Sequence, residues 1–407
     1  MSLFSTCAQT DEYKVMERVF WLGHASRQHL MQLTDWSKSK VISLVSGLVE
    51  AGWLVESPAL ESTGGRRPSG LTLNPERGYL LGFDLGVTSL DVGLYDLSLK
   101  CIDTRSVPVA RIEDPEAVLE TMHLLAASLR ETWKLEKTDI LAMGVGVPGP
   151  VDVASGMLID PPIMPNWNRV SIPDEFAKYT SAPVYVDNDV NTMALGELHR
   201  QRLASASRNG PLNLGNENFI VVKLGTGIGA GIVTHGELHR GADGAAGDIG
   251  HIMVDQNGPH CHCGNVGCLE AYAGAEALSK QATQGDSEVF RRLLAEKGFL
   301  NSHDIAAAAR SGDRHANGII REAGQRIGLV LSGITNFFNP GSLLLGGGIS
   351  EISPSLLASV RQTVYARSLA LSTRNLTIDL LPEKHSAGIR GACTLAFLGA
   401  ACEENLL

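Results

Sequence analysis

No window of this 407-residue chain approaches the roughly 18 uninterrupted apolar residues that a membrane-spanning helix requires. The N-terminus, MSLFSTCAQTDEYKVMERVF, has neither the basic start nor the apolar core of a secretory signal peptide. Both absences predict a cytoplasmic protein with no membrane partner. Low-complexity tracts and short-period repeats are missing, which excludes a solenoid or an array. A surplus of positive charge is missing too. The formal net charge is −10, so nucleic acid can be bound only through a local basic patch. The seven cysteines do not form a disulfide framework, because three crowd into one run (Cys261, Cys263, Cys268) and the rest are scattered. In a reducing compartment such a cluster points to metal.

What is present divides into zones. The length is too great for one ordinary core. Residues 11–75 look helical and end in the polar, Gly-rich stretch ESTGGRRPSG. From residue 79, apolar runs bounded by Gly, Pro or Asp alternate with helical periodicity: YLLGFDLG, LDVGLYDL, ILAMGVGVPG and APVYVDND against DPEAVLETMHLLAASLRETWK. This is the rhythm of an α/β sheet protein. FIVVKLGTGIGAGIVTHG and SLLLGGGIS repeat the theme of a strand followed by a Gly turn, with the long helix NGIIREAGQRIGLVLSGITNFF between them. The expected domains are a DNA-binding domain over 1–76, a first α/β lobe over 79–195 and a second over 196–407. The C-terminal helix of the second lobe is free to pack back on the first.

The first zone has the pattern of a winged helix-turn-helix. One helix precedes Leu22-Gly23-His24; Ser26 can cap a second, RQHLMQLT; Ser37 can cap a third, KSKVISLVSGLVEAG. In the third, Val41, Leu44, Val45 and Leu48 share one face, leaving Lys38, Ser39, Lys40 and Ser43 for DNA. WLVESP and GLTLN read as a two-stranded wing whose tip carries Arg66 and Arg67, suited to a narrow minor groove. The zone's eight basic residues are matched by eight acids. The basic ones nevertheless concentrate at the third helix and the wing. A helix-turn-helix usually reads a palindrome as a dimer, so a homodimer or tetramer is expected.

The cysteine run is GDIGHIMVDQNGPHCHCGNVGCLE. Three thiolates with one imidazole make a closed, tetrahedral, structural zinc set, one ion per chain. On spacing alone His251, His260 and His262 all compete for the fourth position.

GVPGPVD, VDNDVNTMALGE, GTGIGAGIV, RGADGAAGDIGH, CHCGNVGCLE and NPGSLLLGGGIS occur in the order and spacing of the ROK family (repressors, open reading frames, kinases). The sequence resembles that family's transcriptional-regulator branch over nearly its whole length. The resemblance implies two lobes of the actin and sugar-kinase type (ribonuclease H-like), with a sugar in the cleft. It implies sugar contacts at Asn166, Asn188, Asp189, Asp248, His251 and Glu270, with Asp189 at the position of a kinase's catalytic base. It also places His251 as the zinc ligand. Carboxylates around a polyol suit that task, since each accepts from hydroxyl donors.

The phosphate loops of a kinase persist in altered form. The first is Asp84, Gly86 and Thr88, with Val87 where the family's kinases carry Gly and Ser89 where they carry a cation. The second is Gly225, Thr226 and Gly227, and the third Gly346, Gly347 and Gly348. Val87 and Ser89 weigh against phosphoryl transfer from ATP; Asp189 and the intact second and third loops weigh for it. Asp248 stands where the family usually has Glu. The expected function is a sugar- or sugar-phosphate-responsive regulator, in the main a repressor, bound to double-stranded operator DNA. The alternative is a ROK-type ATP-dependent sugar kinase that carries a DNA-binding domain. A hinge is expected near Asn74–Gly78.

Overall fold

The computed structural model describes residues 10–57, 70–206, 215 and 217–402. Three helices come first: α1 (Asp11–Leu22), α2 (Arg27–Thr34) and α3 (Lys38–Glu50). Each begins on a hydroxyl that accepts from its first turn: Thr10 from the Tyr13 amide, Ser26 from His29, Ser37 from Lys40. Val15, Val19, Leu30, Val41, Val45 and Leu48 are buried between them. β1 (Leu54–Ser57) and β2 (Gly70–Leu73) then pair antiparallel, with Leu54 opposite Leu73. Residues 58–69, and with them Arg66 and Arg67, lie outside the described residues.

The chain continues through β3 (Tyr79–Leu85), β4 (Ser89–Asp96), β5 (Cys101–Pro108), α4 (Pro115–Thr132), β6 (Ile140–Val147), the hairpin β7 (Val151–Asp152) and β8 (Met157–Leu158), α5 (Ile172–Phe176), β9 (Val184–Asn188) and α6 (Asp189–Ala206). Five strands form one sheet in the order β5-β4-β3-β6-β9. The β5-β4-β3 half is antiparallel and β3, β6 and β9 are parallel. The parallel strands are apolar almost throughout, as strands covered on both faces must be. Their register aligns Asp84, Gly146 and Asp187 in one row, so their C-terminal ends lie side by side.

A second unit, Gly215–Lys384, repeats this plan. It holds β10 (Phe219–Leu224), β11 (Ile228–Thr234), β12 (Glu237–His239), α7 (Glu270–Ala273), α8 (Ala275–Gln284), α9 (Glu288–Lys297), α10 (Ser302–Arg310), α11 (Arg314–Phe338), β13 (Ser342–Gly346), α12 (Pro354–Arg367), α13 (Ala370–Thr373) and β14 (Thr377–Leu380). Its sheet order, β12-β11-β10-β13-β14, has the same sense changes as the first. On α11, Ala316, Ile319, Ile320, Ala323, Ile327 and Leu331 make the buried stripe, at helical spacing.

The last helix, α14 (Lys384–Cys402), belongs from His385 onward to the first unit. Ala387, Ile389, Ala392, Cys393, Ala396 and Phe397 are buried. A Cβ on Gly391 would lie 1.6 Å from the Thr192 carbonyl oxygen of α6, so only glycine permits this approach.

Two expectations change here. The break between 195 and 196 falls inside α6, an uninterrupted helix whose Leu198, His199 and Arg202 are buried. The segment Asn74–Gly78 is held at several points and is a poor hinge. The Asn74 amide donates to the Gly52 carbonyl at 2.9 Å, Arg77 covers the Trp53 ring at 4.4 Å, and a Cβ on Gly78 would meet Leu141 at 2.6 Å. No described helix is long and apolar enough to cross a membrane.

Candidate functional site

The candidate DNA-reading residues lie at the start of α3. Lys38, Ser39, Lys40 and Ser43 are all exposed. Lys40 is not a free cation: its ammonium lies 2.7 Å from the Asp11 carboxylate and 4.5 Å from the centre of the Trp36 ring. Lys38 makes no ion pair with any described residue. Nothing in the sequence pattern pointed to Asp11 or Trp36, because both partners reach Lys40 from outside the third helix.

In the first unit the candidate residues gather at the C-terminal ends of β3, β6 and β9, where open α/β sheets bind ligands. Asp84 is the penultimate residue of β3, with its carboxylate 2.0 Å from where a Cβ on Gly388 would stand. The first loop closes tightly: the Gly86 amide donates to the Ser89 carbonyl at 2.7 Å, and Thr88 is exposed beyond it. Asn188 acts as a local clamp. Its Nδ2 donates to the Gly149 carbonyl (3.0 Å) and its Oδ1 accepts from the Val190 and Asn191 amides (2.9 and 3.4 Å). Asn188 thereby caps α6 and fixes Asp189, which opens the helix and is 4% exposed. Asp187 supports the same turn by accepting from the Asn188 amide (2.7 Å) and the Asn191 side chain (2.8 Å). Asn166 stands apart on an exposed turn, where its Nδ2 donates to the Glu113 carbonyl at 2.8 Å. The neighbouring Trp167, fully buried, anchors that turn through its indole N–H to the Ile112 carbonyl.

In the second unit the two remaining Gly loops also share a sheet end. β10 and β13 are adjacent and parallel, with Lys223 opposite Gly346, so Gly225–Gly227 and Gly346–Gly348 leave the sheet together. Glu270 sits beneath the first of them. Its Oε2 accepts from the Ile228 amide at 2.9 Å, while Oε1 is buried without a partner among the described residues. Burial holds this carboxyl above its ordinary range, opposed by the Ile228 N–H and by His251. Asp248 is crowded enough by protein to be raised as well, again with His251 pulling the other way. Asp248, His251 and Glu270 are thus electrostatic neighbours.

The Cys/His cluster completes this corner. His251, Cys261, Cys263 and Cys268 each offer one donor atom, and these atoms all lie within 4.8 Å of one another. Cys263 Sγ and Cys268 Sγ are 3.7 Å apart, and Cys261 Sγ is 3.6 Å from His251 Nδ1. Thiolates at about 2.3 Å from a tetrahedral ion are spaced by roughly 3.8 Å, so the donor set fits a metal such as zinc. The rival histidines are placed elsewhere. His262 faces Glu276 at 3.0 Å, and among the described residues His251, not His260, is the histidine grouped with the three sulfurs. The wrap depends on Gly267, at φ +71°, where a Cβ would fall 1.6 Å from the Asp255 carbonyl oxygen. Asp255 is tied in turn to Tyr272, whose hydroxyl donates to it at 2.8 Å, and Arg326 of α11 covers the Tyr272 ring at 3.6 Å.

Comparison with known proteins places these features in a family. The ROK family model matches residues 80–397. A xylose repressor from Caldicellulosiruptor bescii is 30% identical over 377 residues, spanning 91% of each chain. A glucokinase from Thermotoga maritima is 32% identical over 322 residues, which is 78% of this chain and 96% of that one. Among solved structures, a ROK family transcriptional regulator, a homologue of the E. coli MLC protein, superposes with a TM-score of 0.77 at 26% identity, covering 97% of both chains. The matched span takes in both sheets, both sets of Gly loops and the Cys/His cluster: this chain belongs to the ROK family.

Proposed function

We infer that this chain is a sugar-responsive, DNA-binding transcriptional regulator that represses genes of carbohydrate uptake and metabolism. The observation that carries this reading is coverage. The xylose repressor is matched over 91% of this chain, whereas the glucokinase is matched over 78%, and the ROK model begins at residue 80. What this chain adds to a sugar-kinase body is the N-terminal set of three helices and an antiparallel ribbon, as a winged helix-turn-helix requires. Its α3 lies in the major groove, with Lys38, Ser39 and Ser43 near its start. Arg66 and Arg67 reach the minor groove, and two copies of the chain read the two half-sites of an operator.

The sugar contacts are Asn166, Asn188 and Asp189 in the first unit and Asp248, His251 and Glu270 in the second. The unpartnered Oε1 of Glu270 is the group a sugar hydroxyl would satisfy. His251, Cys261, Cys263 and Cys268 hold one zinc ion, whose role is to fix the loop that presents His251 and Asp248. All four protein ligands are used, so the ion offers no open position for catalysis. The sugar acts on DNA only through unequal affinity for two states of the protein, and a coupling of about 1–3 kcal/mol changes operator affinity several-fold to a hundredfold.

The test is fluorescence anisotropy of the full chain on duplex DNA selected by the protein itself, repeated across a panel of sugars and sugar phosphates headed by xylose and glucose. A tenfold shift with one ligand, about 1.4 kcal/mol, supports the reading. Absence of DNA binding at low salt defeats it. The buried Asp189 and the paired Gly loops of β10 and β13 favour a second reading, an ATP-dependent sugar kinase with a DNA-binding domain. Sugar phosphorylation lost in Asp189→Asn would establish that one.

A further inference from the structure

The solvent face of α3 has an unusual composition. Ser39, Ile42, Ser43, Ser46 and Gly47 fall at positions i, i+3, i+4, i+7 and i+8, so they form one stripe over two turns, and all five are exposed. Over these two turns the stripe contains no charge of either sign; Glu50, the next position on the same face, closes it at the C-terminal end. The opposite face, Val41, Val45 and Leu48, is buried. Lys38 and Lys40 flank the stripe at its N-terminal end, on either side. A helix face that meets only water ordinarily carries charged residues along its length, whereas here they stand only at the two ends, Lys38 and Lys40 at one and Glu50 at the other.

Two members of the stripe are unexplained by the protein's own packing. Ile42 keeps 43% of its surface exposed, on the side of α3 opposite the buried Val41, Val45 and Leu48. Gly47 lies inside the helix, yet a Cβ there would meet nothing within 4 Å. Glycine in a helix interior is unfavourable, and here no contact within the chain requires it. One exposed isoleucine alone would mean little. At the centre of an uncharged stripe, beside a glycine with open space above it, it marks a surface shaped for another body that approaches closely. Base edges in the major groove fit that description: they are uncharged, they accept and donate hydrogen bonds, and thymine presents a C5-methyl group.

Resting on the helix-turn-helix reading above, we propose that Ile42 determines operator sequence by packing on the C5-methyl of a thymine in the major groove. Ser39 and Ser43, one turn before it and next to it, reach the neighbouring base edges with their hydroxyls. Gly47 leaves the helix bare where it passes the groove wall. The Lys40 ammonium, held by Asp11 and Trp36, positions the head of the helix and does not compete for bases.

The experiment begins with selection of an operator by the full-length protein from a library of random duplexes. Each thymine of the selected half-site is then replaced singly by deoxyuridine, which lacks only the methyl group. Anisotropy titrations compare the wild-type chain with Ile42→Ala and Ile42→Val. For the wild type, one deoxyuridine position per half-site should weaken binding about fourfold, the worth of one buried methyl. The same replacement should leave Ile42→Ala unaffected, and Ile42→Val should keep most of the discrimination. Because Ile42 is exposed, thermal melting of both variants should match the wild type. The proposal is overturned if no deoxyuridine position matters, or if the same position matters equally in Ile42→Ala. Failure of the library to yield any preferred duplex is a different result: it overturns the DNA-binding reading itself, and the proposal with it.

Discussion

The ring of Phe20 lies flat on that of Phe397, with centroids 4.1 Å apart and planes 8° from parallel. The first described helix of the chain is thereby bonded to the last. Around this stack, Trp21 carries the Arg202 guanidinium on its face at 4.3 Å, and His199 sits 5.0 Å from the Phe20 ring. The three N-terminal helices are therefore built into the first unit by a buried aromatic joint. Removing it with Phe20→Ala should cost about 3–5 kcal/mol, the usual loss for a buried Phe truncated to Ala. In a unit of this size that lowers the melting temperature by roughly 10 °C. Differential scanning calorimetry of the variant checks this, with Phe20→Leu expected to lose much less. A shift within a degree or two for Phe20→Ala would mean that the joint contributes little.

His199 makes the same joint sensitive to acid. The residue is 1% exposed, and burial first, then the Arg390 and Arg202 charges, lower its pKa from 6.5 to about 3. Between those two values the unfolded chain binds a proton that the folded chain refuses. Stability is therefore complete above pH 6.5 and is lost as pH falls, by up to about 1.4 kcal/mol per pH unit. Urea midpoints should fall between about pH 7.5 and about pH 5.5 in the wild type. In His199→Leu that part of the pH dependence should vanish, and an unchanged slope would assign the effect to other groups.

The parts of this architecture that were legible in the sequence are those set by local chemistry. Ser26 and Ser37 cap helices because a hydroxyl before an apolar periodic run has little else to do. The Gly turns after YLLGFDL, FIVVKL and SLLLG end strands because the runs are apolar on both faces. The crowding of Cys261, Cys263 and Cys268 was plain, but the choice among three histidines was not; it depends on His262 turning to Glu276 and on the fold returning His251 to Cys261. The edge strand Cys101–Pro108 escaped notice because its residues alternate weakly and stay largely exposed. The aromatic joint was invisible because its two halves lie 377 positions apart in the sequence, Phe20 to Phe397. The pinning of Asn74–Gly78 was hidden for a similar reason, since the partners Gly52, Trp53 and Leu141 are distant or outside the local pattern.

Two glycine substitutions should act in opposite directions. Gly391→Ala forces a Cβ to within 1.6 Å of a backbone carbonyl oxygen, on a helix already wedged against α6. Backbone has less freedom to yield than a side chain, so the cost should sit at or above the top of the overpacking range, about 3 kcal/mol. Gly318→Ala, on α11, meets nothing within 4 Å and should instead stabilise by about 0.5–1 kcal/mol through helix propensity alone. Chemical denaturation of both variants measures the contrast. Comparable stabilities for the two would refute the close approach of α14 to α6.

The metal cluster gives the last expectation. Burial, with crowding by Cys263 and Cys261, pushes the Cys268 thiol up to about 12, so three neighbouring sulfurs cannot all ionise at neutral pH without a cation among them. Protein purified without chelator should carry about one zinc per chain, measured by elemental analysis or by release to a colorimetric chelator. Cys268→Ser should drop that content to near zero and open the loop from His251 to Cys268 to proteolysis. Cys101→Ser, which removes an exposed free thiol far from the cluster in the chain, should leave both readouts as they are. Retained zinc in Cys268→Ser would move the ion to other ligands. Zinc absent from the wild type would mean that hydrogen bonding and packing alone, through Gly267, Asp255 and Tyr272, hold the loop that carries His251.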